Sequence, residues 1–211
     1  MRKLPSGLYV ITDERLMRRR DFVKKVAEAA AAGAGLIQLR EKASRLRDRL
    51  ELAKAAVRAA HLHGARLVVN DDPRLAAAIG ADGVHLGRDD ASVAEARELL
   101  GPGAIVGVSC YGDIDLAVRL QRAGADYVSF GACFKSPTKP KEAIVPLSVF
   151  NKARRRLKVP LVAIGGITAA NAPLVYAAGA DLVSVVSSVF ARGRVAAAVK
   201  EFERRKHDSN R

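Results

Sequence analysis

The chain has 211 residues, of which 49% are hydrophobic, 27% are charged and 5% are aromatic, with no Trp. This composition is typical of a globular protein with an aliphatic core, and the length requires no more than one domain. No apolar run reaches roughly eighteen residues, which excludes a transmembrane helix from the predicted elements. A strand-like segment begins so early that we also expect no signal peptide.

The positive charge is the unusual bulk property, because 36 Lys and Arg against 22 Asp and Glu give a formal net charge of +14. Clustered cations can bind nucleic acid by releasing counterions. However, the basic runs 18–20, 154–156 and 204–206 fall in different predicted elements and lack interleaved aromatic residues. We therefore expect nucleic acid not to be the main partner. A field that attracts small anionic substrates is a simpler use of the charge.

The two cysteines, Cys110 and Cys133, fall at the ends of predicted strands. This placement favours buried free thiols over a disulfide. Free thiols are typical of the reducing cytoplasm, which is the location we expect, with no membrane association. The oligomeric state stays open, and a homo-oligomer is compatible with the sequence.

A small-residue turn followed by a short apolar run recurs along the chain and predicts eight strands. The segments are Leu8–Thr12, Ala34–Gln38, Gly64–Asn70, Gly80–Leu86, Ala104–Ser109, Gly124–Gly131, Val159–Gly165 and Gly179–Val186. Continuous apolar runs bounded by Gly are typical of strands that are covered on both faces.

Helical patterns separate these strands, for example over Asp21–Ala32, Leu46–His63 and Ser92–Leu100. Ser92 followed by Glu95 predicts a capping box. Strict alternation of strand and helix indicates parallel βαβ units. We predict an α/β fold, a single (β/α)₈ TIM barrel over residues 1–206, followed by a disordered polar tail over residues 207–211. A doubly wound open sheet is the alternative.

The second predicted strand runs into Gln38-Leu39-Arg40-Glu41-Lys42. In a barrel of this kind, catalytic residues lie where strands end and the following loops begin. Strand alternation places Gln38, Arg40 and Lys42 on one side of the segment. One amide and two cations together would bind an anion, and a guanidinium can bind two phosphate oxygens. A surface patch of salt bridges is the alternative interpretation.

Carboxylates follow the third and fourth predicted strands, which lead into Asn70-Asp71-Asp72 and His85-Leu86-Gly87-Arg88-Asp89-Asp90. Carboxylates after neighbouring strands suit a hard divalent cation whose other ligands are phosphate and water. Asp71 and Asp90 are the candidate metal ligands, whereas Asp72 and Asp89 are predicted to be helix N-caps. His85 is interpreted as a structural residue.

The remaining strand ends predict further anion-binding groups. The fifth strand ends at Ser109, and the sixth leads into Phe134–Pro140, a loop with hydroxyls and two lysines. The seventh and eighth lead into Gly165-Gly166-Ile167 and Val186-Ser187-Ser188. Loops in those two positions commonly bind phosphate through backbone N–H groups and a short helix. The mouth therefore has two predicted anion sites, suited to a diphosphate opposite a monophosphate.

As an ordered set, these segments resemble the thiamine phosphate synthase family over nearly the whole chain. The matching strings are Gly7–Asp13, Gln38–Lys42, Val69–Asp71, His85–Gly87 with Asp90, Gly107–Ser109, Thr138-Lys139, Ala163–Ile167 and Val185–Ser187. The resemblance implies a magnesium-dependent transferase. Such an enzyme joins an aminopyrimidine diphosphate to a thiazole phosphate, giving thiamine phosphate and pyrophosphate.

The resemblance also assigns roles to individual positions. It implies that Asp71 and Asp90 bind Mg²⁺. The pyrimidine diphosphate would contact Gln38, Arg40, Lys42, Asn70, Ser109 and Lys139, of which Arg40, Lys42, Ser109 and Lys139 would be catalytic. The thiazole phosphate would contact Ser136, Thr138, Gly166, Val186 and Ser187.

Some positions depart from the commonest form of the family. Arg88 stands where Gln is usual, and the loop Lys135-Ser136-Pro137-Thr138 replaces Pro-Thr-x-Thr. Cys110-Tyr111 follows Ser109 where many relatives have a histidine one residue beyond. A thiazole tautomerase on the same fold relies on a histidine in this region, so its absence favours the synthase. Another alternative is a non-catalytic barrel that binds thiamine precursors or nucleic acid.

Overall fold

A computed structural model of the chain forms a closed barrel of parallel strands in the order β1 to β8. It describes Leu4 and residues 8–40, 46–135, 143–191 and 193–209. The strands are Tyr9–Ile11, Leu36–Leu39, Arg66–Asn70, Gly83–Leu86, Ile105–Tyr111, Tyr127–Phe130, Leu161–Ile164 and Leu182–Val185. Parallel pairing of β1 with β8 closes the barrel. The predicted TIM barrel is confirmed, and the open sheet is excluded.

Helices follow the strands along the outside of the barrel. Within the described ranges, α1 to α9 span Phe22–Ala31, Leu46–Leu62, Pro73–Ile79, Val93–Leu100, Ile114–Arg122, Ser148–Arg154, Ala172–Ala177, Ser187–Phe190 and Val195–Ser209. The last helix extends into the segment that the sequence assigned to a polar tail. None of these helices has both the length and the apolar character needed to cross a membrane.

Two helix starts test the predicted caps. The Asp72 carboxylate accepts a hydrogen bond from Leu75 N at 2.9 Å and caps α3, as predicted. The N-cap of α4 is Ser92, whose capping box with Glu95 is complete. The prediction that Asp89 is an N-cap was therefore wrong. Asp89 lies in the loop before the helix, and the reciprocal Ser92–Glu95 bonds fix a later start.

The hydrophobic core has an outer and an inner layer. The outer layer lies between the strands and the helices and contains the buried thiols of Cys110 and Cys133. Burial raises their pKa values to about 12 and about 11. The inner layer fills the barrel with aliphatic side chains and the rings of Tyr9 and Tyr127.

The Tyr127 ring fits inside the barrel because the neighbouring strand β5 has a glycine beside it. A methyl group at Gly107 would lie 1.9 Å from Cζ of Tyr127. Both Tyr9 and Tyr127 are fully buried, so their hydroxyls must find hydrogen-bond partners within the barrel. The partners include Gln38 and His85, which line the cavity at the barrel mouth.

Candidate active site

A cavity of about 330 Å³ opens where the strands end, and strands on every side of the barrel line it. Its lining includes four of the residues predicted to bind the diphosphate substrate and three predicted to bind the thiazole phosphate. They are Gln38, Arg40, Asn70 and Ser109, then Gly166, Val186 and Ser187. Residues far apart in sequence thus share one cavity. Lys42, Ser136, Thr138 and Lys139 lie outside the described residues.

Arg40 is held at the mouth by the residue that follows β1. The Thr12 hydroxyl donates to Arg40 O at 3.0 Å and accepts from Arg40 N at 2.8 Å. Because both contacts are to the backbone, Thr12 fixes the point from which the guanidinium extends. Thr12 itself is fully buried and lines the cavity.

A second cation, Arg15, reaches the mouth from the loop after β1. Arg15 donates to both carboxylate oxygens of Asp13, at 3.0 and 2.7 Å, and its side chain is 61% exposed. The hydrogen bonds from Arg15 lower the pKa of Asp13, with burial opposing them. Arg40 Nη1 lies 3.7 Å from the same carboxylate and 3.8 Å from Glu14. Asp13 therefore orients two guanidinium groups beside the cavity.

Sequence reasoning missed Thr12, Asp13 and Arg15. The rule that found Gln38 and Arg40, namely that polar residues at strand ends form the mouth, applies equally to the first strand. The string Thr12-Asp13 directly follows Ile11 and carries the signal.

The two candidate metal ligands follow neighbouring strands. Asn70 pairs with His85 in the β3–β4 register, and Asp71 N donates to His85 O at 2.8 Å. Asp71 has a φ of 67°, a left-handed conformation for which Asp is among the more tolerant residues. The Asp90 carboxylate accepts from Gly87 N at 2.6 Å, which restricts its orientation. Asp71 follows directly on Asn70, which lines the cavity.

These carboxylates fit Mg²⁺ by the chemistry of the donor set. Mg²⁺ is bound in proteins by one or two carboxylates, with water and substrate phosphate completing the coordination. Asp71 and Asp90 supply two hard oxygen donors. Among the described residues, no group of three or more His, Cys, Asp or Glu side chains could hold an ion. An ion between Asp71 and Asp90 would therefore need ligands from water or substrate.

A continuous line of buried hydrogen bonds crosses the barrel below the cavity; we call it the interior chain. Gln38 Nε2 donates to Tyr9 OH at 2.6 Å, and the Tyr9 and Tyr127 hydroxyls are 2.8 Å apart. His85 Nδ1 lies 2.8 Å from Tyr127 OH, and His85 Nε2 lies 3.0 Å from Ser109 Oγ. The interior chain therefore connects Gln38 with Ser109, two residues that the family resemblance assigns to the same substrate.

Burial makes the neutral forms of the interior chain stable. It lowers the pKa of His85 to about 4, although the Asp71 charge opposes the shift. It also raises the pKa values of Tyr9 and Tyr127 well above their ordinary value. Both ring nitrogens of His85 have protein partners, which fits the structural role predicted for this residue.

The opposite side of the mouth is built from the loops after β7 and β8. Gly166 has a φ of 63°, and a methyl group there would lie 2.4 Å from Lys135 O. Glycine is therefore required where this loop meets the loop after β6. Ser188 Oγ donates to Ile167 O at 2.6 Å and joins the two loops. The short helix α8 begins at Ser187, and a short helix after the eighth strand is common in phosphate-binding barrels.

The cavity contains one further polar group that the sequence did not single out. Ser184 on β8 is 2% exposed and lines the cavity. Its hydroxyl has no hydrogen-bond partner among the described residues. A buried hydroxyl without a partner costs free energy, so a ligand that bonds to it gains affinity.

Comparison with known proteins identifies the family. A thiamine monophosphate synthase family profile matches residues 8–189. The chain belongs to this family. It is 45% identical over 196 residues to the thiamine-phosphate synthase of Nitrosococcus oceani, covering 93% of this chain and 90% of that protein. It is 48% identical over 186 residues to that of Thioalkalivibrio sulfidiphilus, covering 88% of each.

A solved structure supports the same assignment. Thiamine phosphate pyrophosphorylase from Pyrococcus furiosus superimposes with a TM-score of 0.85 at 34% identity, covering 96% of both chains. The resemblance to the thiamine monophosphate synthase family that the strand-end motifs predicted is thus confirmed.

Two residues that depart from the commonest pattern of the thiamine monophosphate synthase family contact each other. The Arg88 guanidinium lies 4.6 Å from the centre of the Tyr111 ring. Tyr111 ends β5, has a φ of 57° and lines the cavity. The contact is a cation–π interaction, which holds the additional charge of Arg88 beside the mouth.

The position of Arg40 yields a testable prediction. We expect Thr12→Val to weaken binding of magnesium pyrophosphate about tenfold, because both contacts to the Arg40 backbone are lost. Isothermal titration calorimetry on the full chain measures this. Thr12→Ser keeps the hydroxyl and should keep the affinity. Equal affinity of the valine variant and the unmodified protein would show that Thr12 does not position Arg40 for anion binding.

Proposed function

We propose that this chain is a thiamine-phosphate synthase, a transferase that joins an aminopyrimidine diphosphate to a thiazole phosphate and releases pyrophosphate. One observation carries the proposal: residues predicted for two different substrates line opposite sides of a single cavity. A tautomerase needs only the thiazole side. A mouth with a second side for a diphosphate therefore favours the synthase.

The diphosphate substrate binds on the side formed by β2 to β5. Arg40 is the cation for the diphosphate, supported by Thr12 and Asp13. Ser109 supplies a hydroxyl, and Gln38 and Asn70 supply amide groups for the pyrimidine. Lys42 and Lys139, which lie outside the described residues, complete this set in our proposal.

Asp71 and Asp90 would hold the Mg²⁺ ion. A bound Mg²⁺ supplies positive charge that offsets the charge developing on a departing diphosphate. The β3–β4 pairing places Asn70, and Asp71 after it, beside the end of β4, and Asp90 lies in the loop that follows β4. Arg40 then approaches the diphosphate from the neighbouring strand β2.

The thiazole phosphate binds on the side formed by β7 and β8. Gly166, Val186 and Ser187 line the cavity there, and α8 begins at Ser187. Backbone N–H groups at such a position suit a phosphate. Ser136 and Thr138, outside the described residues, extend this set in our proposal.

The chemistry follows from this arrangement. The bond between the pyrimidine methylene carbon and the diphosphate oxygen breaks, and its electron pair leaves with the diphosphate. Arg40 and Ser109 stabilise that leaving group by charge and hydrogen bonding. The opposite phosphate site holds the thiazole so that its ring nitrogen can attack the pyrimidine cation. The reaction needs no strong general base.

The proposal predicts a strict two-substrate requirement. With Mg²⁺ and both precursors, the purified chain should release pyrophosphate and form thiamine phosphate in equal amounts, measured by a coupled phosphate assay and chromatography. Reactions lacking either precursor are the controls. If no pyrophosphate appears with both substrates present, the proposed function is wrong. Isomerisation of a thiazole carboxylate without the pyrimidine would identify the tautomerase instead.

If Asp71 and Asp90 bind Mg²⁺, replacing either one should lower activity far more than replacing the neighbouring Asp89. We expect Asp71→Asn and Asp90→Asn each to lower kcat/KM by about 100-fold or more at limiting Mg²⁺, because charge offset at the diphosphate is lost. Asp89→Asn removes the same charge one residue away and is the matched control. Activity is measured against Mg²⁺ concentration. An unchanged Mg²⁺ dependence in both variants would contradict the assignment.

A further inference from the structure

The interior chain joins two groups that our proposed function assigns to the diphosphate substrate. Gln38 on β2 stands at one end and Ser109 on β5 at the other. The three residues between them, Tyr9, Tyr127 and His85, are 1%, 0% and 8% exposed. Side chains this deeply buried keep their hydrogen bonds, so the state of one end constrains the other.

The direction of each hydrogen bond follows from the first one. Gln38 Nε2 is a donor, so Tyr9 OH accepts from it and gives its own hydrogen to Tyr127 OH, 2.8 Å away. Tyr127 then donates to His85 Nδ1, which must carry no hydrogen. A neutral imidazole has one N–H, so the proton of His85 lies on Nε2.

The direction of these hydrogen bonds determines whether Ser109 and Gln38 donate to a ligand or accept from it. His85 Nε2–H donates to Ser109 Oγ, so the Ser109 hydrogen is not used within the chain. Ser109 lines the cavity, and its O–H is free to donate there. At the other end, the Gln38 amide nitrogen donates to Tyr9, and the carbonyl oxygen Oε1 remains to accept.

The hydrogen bonds of the interior chain could instead run from Ser109 towards Gln38. That direction needs the Gln38 amide turned over, the proton of His85 on Nδ1, and Ser109 donating to His85. Ser109 would then present only an oxygen lone pair to a diphosphate oxygen. Two acceptors facing each other repel, so an anionic ligand at Ser109 favours the direction that begins with donation by Gln38 Nε2.

We propose that Tyr9, Tyr127 and His85 are positioning residues that fix the hydrogen-bond direction at both ends of the substrate. The interior chain makes Ser109 a donor to the diphosphate and makes Gln38 an acceptor for the amino group of the pyrimidine. The protein therefore distinguishes an aminopyrimidine from an oxopyrimidine, because the carbonyl of the latter would face Gln38 Oε1. This inference rests on the proposed function.

The first test determines the direction of the hydrogen bonds in the interior chain and needs no catalytic turnover. Nitrogen-15 NMR of the histidine-labelled full chain reports which ring nitrogen of His85 is protonated, and a His85→Asn variant identifies its signals. We expect the proton on Nε2, both alone and with magnesium pyrophosphate. A proton on Nδ1 would overturn the proposal. Because no turnover is needed, this outcome is independent of whether the chain is a synthase.

The second test uses Tyr127→Phe, which removes one hydroxyl and keeps the ring that stacks on His85 at 5.5 Å. Tyr9 then has no acceptor at Tyr127 and can donate to a turned-over Gln38. We expect kcat/KM for the aminopyrimidine diphosphate to fall about 10- to 100-fold, as for a misoriented bond to a charged group. Preference over the oxopyrimidine analogue, measured by competitive binding, should fall about tenfold as well.

Tyr176→Phe on α7 is the control, because it also removes a hydroxyl from a partly buried tyrosine, at a position outside the interior chain. We expect it to change neither quantity. A folded Tyr127→Phe variant with unchanged amino-over-oxo preference would contradict the proposal. If that variant does not fold, Tyr9→Phe breaks the chain one bond away, and the NMR test on the unmodified protein stands regardless. A correct tautomer in a chain without synthase activity would contradict only the proposed function.

Discussion

Two tyrosine hydroxyls inside an otherwise aliphatic barrel determine much of how the mouth is built. A buried hydroxyl without a partner destabilises the fold, so Tyr9 and Tyr127 must bond to something within reach. They bond to each other and outward to Gln38 and His85. The hydrogen bonds that the buried hydroxyls need therefore also orient Gln38 and His85 at the cavity. Packing and function are linked here by hydrogen bonding rather than by charge.

Charged side chains orient one another around the cavity, outside the interior chain. Arg40 and Arg15 gather around the Asp13 carboxylate, and Glu14 lies beside Arg40. These acidic partners hold the guanidinium groups in place before an anion arrives, which reduces the entropy lost on binding. We expect the formal charge of +14 over the whole chain to attract phosphates from a longer distance. The local cluster determines where such a ligand is held.

The fold could be predicted because its signals are local. Apolar runs bounded by Gly marked the strands, and Ser92 with Glu95 marked a helix start that the structure confirms. Cavity residues such as Gln38 and Ser109 were predicted because parallel strands bring their ends to one rim. Asp89 was misjudged as a cap because single residue preferences do not say which of several candidates the helix uses.

The interior chain could not be predicted in the same way. Tyr9 and Tyr127 are 118 residues apart, and their contact depends on barrel closure and on the space left by Gly107. Neither the sequence spacing nor the residue types reveal that closure. His85 was interpreted as structural, and its partners Tyr127 and Ser109 come from the two strands that follow. Only the three-dimensional arrangement connects them.

We propose that the barrel mouth holds a diphosphate on its β2–β5 side, opposite a separate phosphate site. A crystal structure with Mg²⁺ and pyrophosphate tests this most directly. We expect pyrophosphate between Arg40 and Ser109, with Mg²⁺ held by Asp71 and Asp90. Pyrophosphate bound only against Gly166 and Ser187, with Arg40 and Ser109 uncontacted, would contradict the account.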